Sequence, residues 1–127
     1  MSTSITTKAR RKALAEITSG KISTISPISH IAFGSGGVDE YGEPKIPSDE
    51  QAALFNEIAR YPADNVSYPV ETTARYTVEI PETALAGAEI SEVGLFDSNG
   101  VLCAIKTMYV KKKDEGIKFA FEFDDQF

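Results

Sequence analysis

Apolar residues recur at three- and four-residue intervals near the start of the chain and at two-residue intervals through much of its second half, a pattern that predicts helix first and sheet later. From Ser4 to Ile17, the residues Ile5, Ala9, Ala13, Leu14 and Ile17 line one side, with Lys8, Arg11, Lys12 and Glu16 between them. This spacing predicts an amphipathic helix of about four turns, capped at Ser2, Thr3 or Ser4 and closed by Gly20 in a left-handed conformation. Its narrow apolar stripe suits a helix lying on a sheet. A second helix is expected from the capping-box spacing Ser48-Asp-Glu-Gln51, with Leu54, Phe55, Ile58 and Ala59 as its apolar face and an end at Tyr61, before Pro62.

The β-branched run from Ile22 to Phe33 reads as extended, with Pro27 at an edge or bend. Gly34-Ser-Gly-Gly37 and the following stretch to Pro47 are too rich in glycine and proline for regular structure and predict an irregular loop over about 34–47. Loops of that length in compact domains often carry function. Ala74, Tyr76, Val78 and Ile80 alternate with polar residues up to Pro81, as a strand with one buried face requires. Ile90–Phe96 and Val101–Val110 flank Asp97-Ser-Asn-Gly100, a hairpin signal. Ile117, Phe119, Phe121 and Phe123 alternate with Lys118, Ala120, Glu122 and Asp124 to form a last strand, joined to the hairpin by the turn Lys113-Asp-Glu-Gly116. The expected fold is α+β: a single domain over residues 1–127, an antiparallel β-meander with two helices packed on one face.

Composition narrows the function classes. With 127 residues, 42% hydrophobic and 25% charged, the chain has the make-up of an ordinary globular domain able to fold around one core. A net charge of -6 opposes binding to phosphate backbones. The two basic clusters, Arg10-Arg11-Lys12 and Lys111-Lys112-Lys113, read as solvated faces. Cys103 is the only cysteine, which excludes an intrachain disulfide, and its apolar surroundings suggest a buried small hydrophobe. The N-terminus lacks the apolar core of a signal peptide, and no run approaches the roughly 18 apolar residues that span a membrane. The expectation is a soluble chain made in a cytoplasm, with neither nucleic acid nor membrane as partner.

Catalytic chemistry finds little support. His30 is the sole histidine and stands in an extended segment. Ser29 and Ser35 lie outside any nucleophile elbow. Gly34–Gly37 lacks the lysine and hydroxyl of a phosphate-binding loop, and Asp39-Glu40, Glu43 and Asp49-Glu50 lack the intervals of a calcium loop. No catalytic residue, cofactor or metal is assigned, and the chain is read as a non-enzyme. The row Phe119, Phe121, Phe123 is either core or, if left uncovered, a subunit interface.

The segment Glu92-Val-Gly-Leu-Phe-Asp-Ser-Asn-Gly-Val-Leu-Cys-Ala resembles the signature of phage tail-collar fibre proteins, Glu-x-Gly-Leu-aromatic-Asp-x-x-Gly-x-Leu-x-Ala. Glu92, Gly94, Leu95, Phe96, Asp97, Gly100, Leu102 and Ala104 occupy its positions. The order of the other parts is similar: an N-terminal helix, Phe33 running into a glycine-rich turn, a proline-rich loop, a helix containing Leu54, Glu57 and Arg60, and a strand ending at Ile80-Pro81. The resemblance implies a structural part of a contractile phage tail or a bacteriocin-like particle, one that attaches or networks tail fibres at the baseplate. Its implied partners are baseplate wedge and tail-fibre proteins and further copies of itself, a trimer being the state common in that family. Localisation in a virion or tail-like particle, assembled in the bacterial host cytoplasm, is implied with it.

Family members usually continue into a shaft and a receptor-binding tip, whereas this sequence stops at Phe127, which favours a connector over a host-binding role. Interaction is assigned to Val38, Asp39, Glu40, Tyr41 and the three phenylalanines, with the N-terminal helix as a further contact. Gly94 and Gly100 are given structural roles. The competing reading is a stand-alone carbohydrate- or ligand-binding domain with Tyr41, Tyr61 and Tyr68 as stacking residues.

Overall fold

A computed structural model describes residues 3–63, 65–114 and 116–127. Two antiparallel sheets pack face to face. The larger has the order β1-β7-β6-β2-β3 and the smaller β4-β5-β8. In chain order the strands are β1 (Thr3–Thr6), β2 (Ile28–Gly34), β3 (Glu57–Pro62), β4 (Asn65–Val70), β5 (Thr73–Ile80), β6 (Glu89–Asp97), β7 (Leu102–Lys112) and β8 (Phe119–Gln126). The one helix among the described residues is α1 (Lys8–Thr18).

The alternation read from the sequence sets the core. Ile31 and Phe33 of β2, Ile90, Val93 and Leu95 of β6, and Ala104 and Met108 of β7 face Val78 and Ile80 of β5 and Phe121 and Phe123 of β8. The Phe33 and Phe121 rings meet across the sheets with centroids 4.8 Å apart. Central in its sheet, β6 is buried from Ile90 to Asp97. A second, smaller cluster (Ala32, Leu54, Phe96, Leu102 and Ile105) lies on the other face of the large sheet.

α+β therefore holds only coarsely: among the described residues about 49% are strand and a single short helix accompanies them. The first helix begins later than expected, because Thr3–Thr6 extends the large sheet by pairing with Ala104–Thr107 of β7. The cap is Thr7, not Ser4 or Thr3; Ser2 lies outside the described residues. Thr7 Oγ1 accepts from the Arg10 amide and donates to the buried Leu102 carbonyl at 2.7 Å. Gly20 closes the helix as expected, with φ +84° and hydrogen bonds from the Gly20 and Lys21 amides to the Ile17 and Glu16 carbonyls.

The second helix does not form. Its capping box is present: the Ser48 amide donates to Gln51 Oε1 at 2.9 Å, and Ser48 Oγ accepts from the Glu50 amide. The turn stops there, and Glu57–Pro62 becomes β3, paired with β2 so that Tyr61 opposes Ile31 and Ala59 opposes Phe33. Burial of Leu54 and an open sheet edge outweigh a local helix signal. Pro62 is tolerated at the end of this edge strand.

Two other expectations change. The run from Ile22 is strand only from Ile28, after Pro27. The last strand does not continue a meander from β7 but crosses to the small sheet, where Phe121 opposes Val78 and Phe123 opposes Tyr76. The core is thus covered by a second sheet and not by helices.

Candidate interaction surface

The resembling segment forms one node that ties three parts of the chain together. Glu92, on β6, is fully buried. Its carboxylate accepts the amides of Gly36 at 2.9 Å, Phe55 at 2.7 Å and Asn56 at 2.8 Å. Next to it, Ser91 Oγ accepts the Gly37 amide at 2.9 Å. An acceptor with two oxygens is what three converging N–H groups need, and a charged acceptor makes the stronger bonds. The glycines permit the approach. A Cβ on Gly34 would sit 2.5 Å from Glu92 Oε2 and from the Asn56 carbonyl, and one on Gly94 would sit 2.6 Å from Leu54 Cδ2. The Glu-x-Gly spacing and the distant Gly34–Gly37 turn are therefore two halves of one structure.

The rest of the segment builds the β6–β7 hairpin. Asp97 Oδ1 accepts the amides of Asn99 and Val101, both at 2.9 Å, and Gly100 takes φ +79°. The Gly100 amide donates to the Asp97 carbonyl and the Asp97 amide to the Val101 carbonyl, which makes a three-residue turn with a glycine bulge. Leu95 points into the main core. Phe96 points the other way, under the Arg60 guanidinium at 3.8 Å from the ring centroid. Glu57 and Arg60, expected on a helix, are paired on β3 through two hydrogen bonds of 3.0 and 2.8 Å.

From this node the loop over 38–47 projects. It has no strand beyond the single Val38–Pro44 bridge, yet it is held by its own bonds. Asp39 Oδ1 accepts from the Tyr41 and Glu43 amides at 2.8 and 3.0 Å, and the Lys45 amide donates to the Gly37 carbonyl. Two side chains of β7 fasten it to the sheet: Thr107 Oγ1 donates to the Lys45 carbonyl at 2.6 Å, and Tyr109 Oη donates to Glu43 at 3.0 Å. That acceptor raises the Tyr109 hydroxyl pKa, first by its hydrogen bond and then by its charge. The loop offers Tyr41 and Ile46, 81% and 83% exposed, beside Asp39, Glu40 and Glu43. Tyr109 had given no signal in the sequence; Glu43 gave one only as a loop carboxylate weighed for calcium, and Ile46 only as a loop residue.

The remaining assigned residues divide. Phe121 and Phe123 are buried and Phe119 packs against them, so the aromatic row is core and not a face open to neighbours. Tyr41, Tyr61 and Tyr68 do not converge: Tyr41 is at the loop, Tyr61 packs edge-on against Phe33 at 6.0 Å, and Tyr68 is on β4. The Ser29 hydroxyl is hydrogen-bonded to the adjacent His30 Nδ1 at 2.8 Å. Among the described residues no group of three or more His, Cys, Asp or Glu side chains is placed to hold a cation. Among the same residues, no helix is long and apolar enough to cross a membrane.

The basic clusters are not simply solvated. Lys113 is fully buried, with Nζ 3.3 Å from the Glu82 carbonyl. Arg10 is half-buried and donates through Nη1 to the Ser26 carbonyl at 2.7 Å, while its Nε has no hydrogen-bond acceptor among the described residues. The Arg10 charge also acts on the ionisable groups of Asp125, Tyr76 and Cys103, favouring their charged forms. Burial raises the Asp125 carboxyl and the Arg10 charge opposes it. Burial pushes the Cys103 thiol up to about 11.

Comparison of the chain with protein-family models, with curated protein sequences and with solved structures finds no match.

Proposed function

We propose that this protein is a structural component of a contractile phage tail or phage-tail-like particle, attaching or networking tail fibres at the baseplate. One observation carries the reading: Glu92 and Gly94, two of the residues through which the sequence resembles tail-collar fibre proteins, meet the Gly34–Gly37 turn and the segment at Leu54–Asn56, which belong to the same resemblance, in a single node. A shared motif whose members contact one another argues for a shared structural purpose better than the same residues scattered would. The node fixes the base of a loop whose apolar tip is exposed and whose backbone is already ordered. Preorganised loops with an aromatic anchor bind without the ordering cost that a flexible segment meets.

In this reading Val38, Asp39, Glu40 and Tyr41 contact a baseplate wedge or fibre protein, and α1 lies beside a further contact. The protein acts by binding, as a homo-oligomer within the particle, and performs no catalysis. It is assembled in the bacterial cytoplasm and resides in the particle. The test is incorporation. Particles assembled with a chain in which residues 39–43 are replaced by a short glycine linker lose the protein, whereas full incorporation of that chain refutes the role of the loop.

A further inference from the structure

Among the described residues the sandwich has four edge strands, and their chemistry differs. β3 carries Glu57 and Arg60, and β8 carries Glu122, Asp124 and Asp125. β1 is only four residues long. β4 has six residues, Asn65–Val70, no charge among them, and every position exposed. Edge strands ordinarily carry charge because their unpaired N–H and C=O groups pair with any other open edge. β4 has only Pro69 as a guard, inside the register irregularity between Ser67 and Val70. It also presents apolar side chains: Val66, Tyr68 and Val70 are 42%, 69% and 58% exposed. Phe127, 70% exposed, adjoins the β4–β5 turn, its backbone N–H donating a hydrogen bond to the Thr72 carbonyl.

We propose that β4 is a self-association edge, at which two copies of the chain pair antiparallel about a two-fold axis and join their three-stranded sheets into one of six strands. With the axis at Ser67, near the middle of the strand, that residue faces its own copy and Val66 faces the partner's Tyr68. The three carboxylates of β8 would repel their copies, whereas the uncharged β4 meets no such penalty. Val66 opposes Tyr76 within its own sheet, so a second β4 would continue an apolar row already started there. Aromatic side chains bury about 150–250 Å² each. On that scale the exposed parts of Tyr68 and Phe127, with the two valines, supply on the order of 600–800 Å² from both copies. That falls below the roughly 1,200 Å² at which stable interfaces begin, so the association is reversible and depends on concentration.

The inference sharpens the oligomer part of the assembly reading, yet it is tested on the isolated chain, so its failure is distinct from a failure to enter particles. Sedimentation velocity across a concentration series gives a mass rising from 13.8 kDa toward twice that value. Val66→Lys and Tyr68→Lys, both at exposed positions, hold the mass at the monomer value while the circular dichroism spectrum stays unchanged. A Ser67→Cys chain forms an intermolecular disulfide on mild oxidation, with the buried Cys103 protected. The proposal is overturned by a wild-type chain that stays monomeric at millimolar concentration, by association that survives both lysine variants, or by an oligomer in which Ser67→Cys gives no crosslink.

Discussion

Replacing Glu92 tests whether the shared segment is a structural node. In Glu92→Ala the amides of Gly36, Phe55 and Asn56 lose their common acceptor. A buried donor left unpaired costs about 1–3 kcal/mol, and bonds to a charged acceptor lie at the upper end. These three bonds are only partly buried, so water replaces some of them, and a total of about 2–4 kcal/mol is expected for the alanine variant. Glu92→Gln is the finer probe. Its single carbonyl oxygen can keep the Gly36 and Asn56 amides, which share Oε2, but its NH₂ then faces the Phe55 amide, for about 1–2 kcal/mol. Urea denaturation reads the midpoint, with an unchanged slope confirming a stability effect. Amide hydrogen exchange reads the locality: residues 36, 55 and 56 lose protection while the β5–β8 pairs keep theirs. A glutamine variant within about 0.5 kcal/mol of wild type, or protection lost evenly across both sheets, refutes the node.

The same packing sets several other outcomes. Gly94→Ala places a Cβ 2.6 Å from Leu54 Cδ2 and 3.0 Å from Leu102 Cδ1, so overpacking destabilises the fold by about 1–3 kcal/mol in a thermal melt. The thiol of Cys103, buried and with its pKa at about 11, resists iodoacetamide at pH 8 in the native protein and reacts once urea unfolds it; fast native labelling contradicts its placement. Asp124 and Asp125 oppose each other in pH dependence. Asp124 is held below its usual 3.8 chiefly by its hydrogen bond to Arg75, so its contribution is present above that value and fades as pH falls through the lowered pKa. Asp125 is raised by burial, so its contribution is full below 3.8 and is lost as pH rises through the raised pKa. Asp125→Asn therefore gains stability relative to wild type above that window and not below it, as urea midpoints at pH 3 and pH 7 can show.

Much of the sheet was legible in the sequence because strand burial has a two-residue period. β5 and β8 are marked by alternation, and β6 and β7 by the Asp97–Gly100 turn that they flank. Pairing was not legible in the same way. The final strand could continue beside β7 or cross to β5, and alternation fits both; only packing of Phe121 and Phe123 against Phe33, Leu95 and Val78 decides. The second helix failed because a capping box specifies one turn, whereas Leu54 beneath Gly94 and the open edge of β2 set the path of residues 54–62. Thr3–Thr6 has both a helix-like period and β-branched residues, and the edge of β7 decides in favour of strand.

Of the interaction surface, the loop over 38–47 was readable from its glycines and prolines. Its order was not, since that depends on Thr107 and Tyr109, more than sixty residues away for each contact. The link from Glu92 to Gly36 was likewise hidden, although the glycine cluster was its trace.

The most direct measurement for the assembly reading is the light-scattering mass of the purified chain mixed with the baseplate subunits of a candidate particle, beside a Tyr41→Ala control. A complex of defined stoichiometry, weakened by that substitution, is the predicted result. A chain that keeps its own mass with every baseplate and fibre subunit contradicts the account.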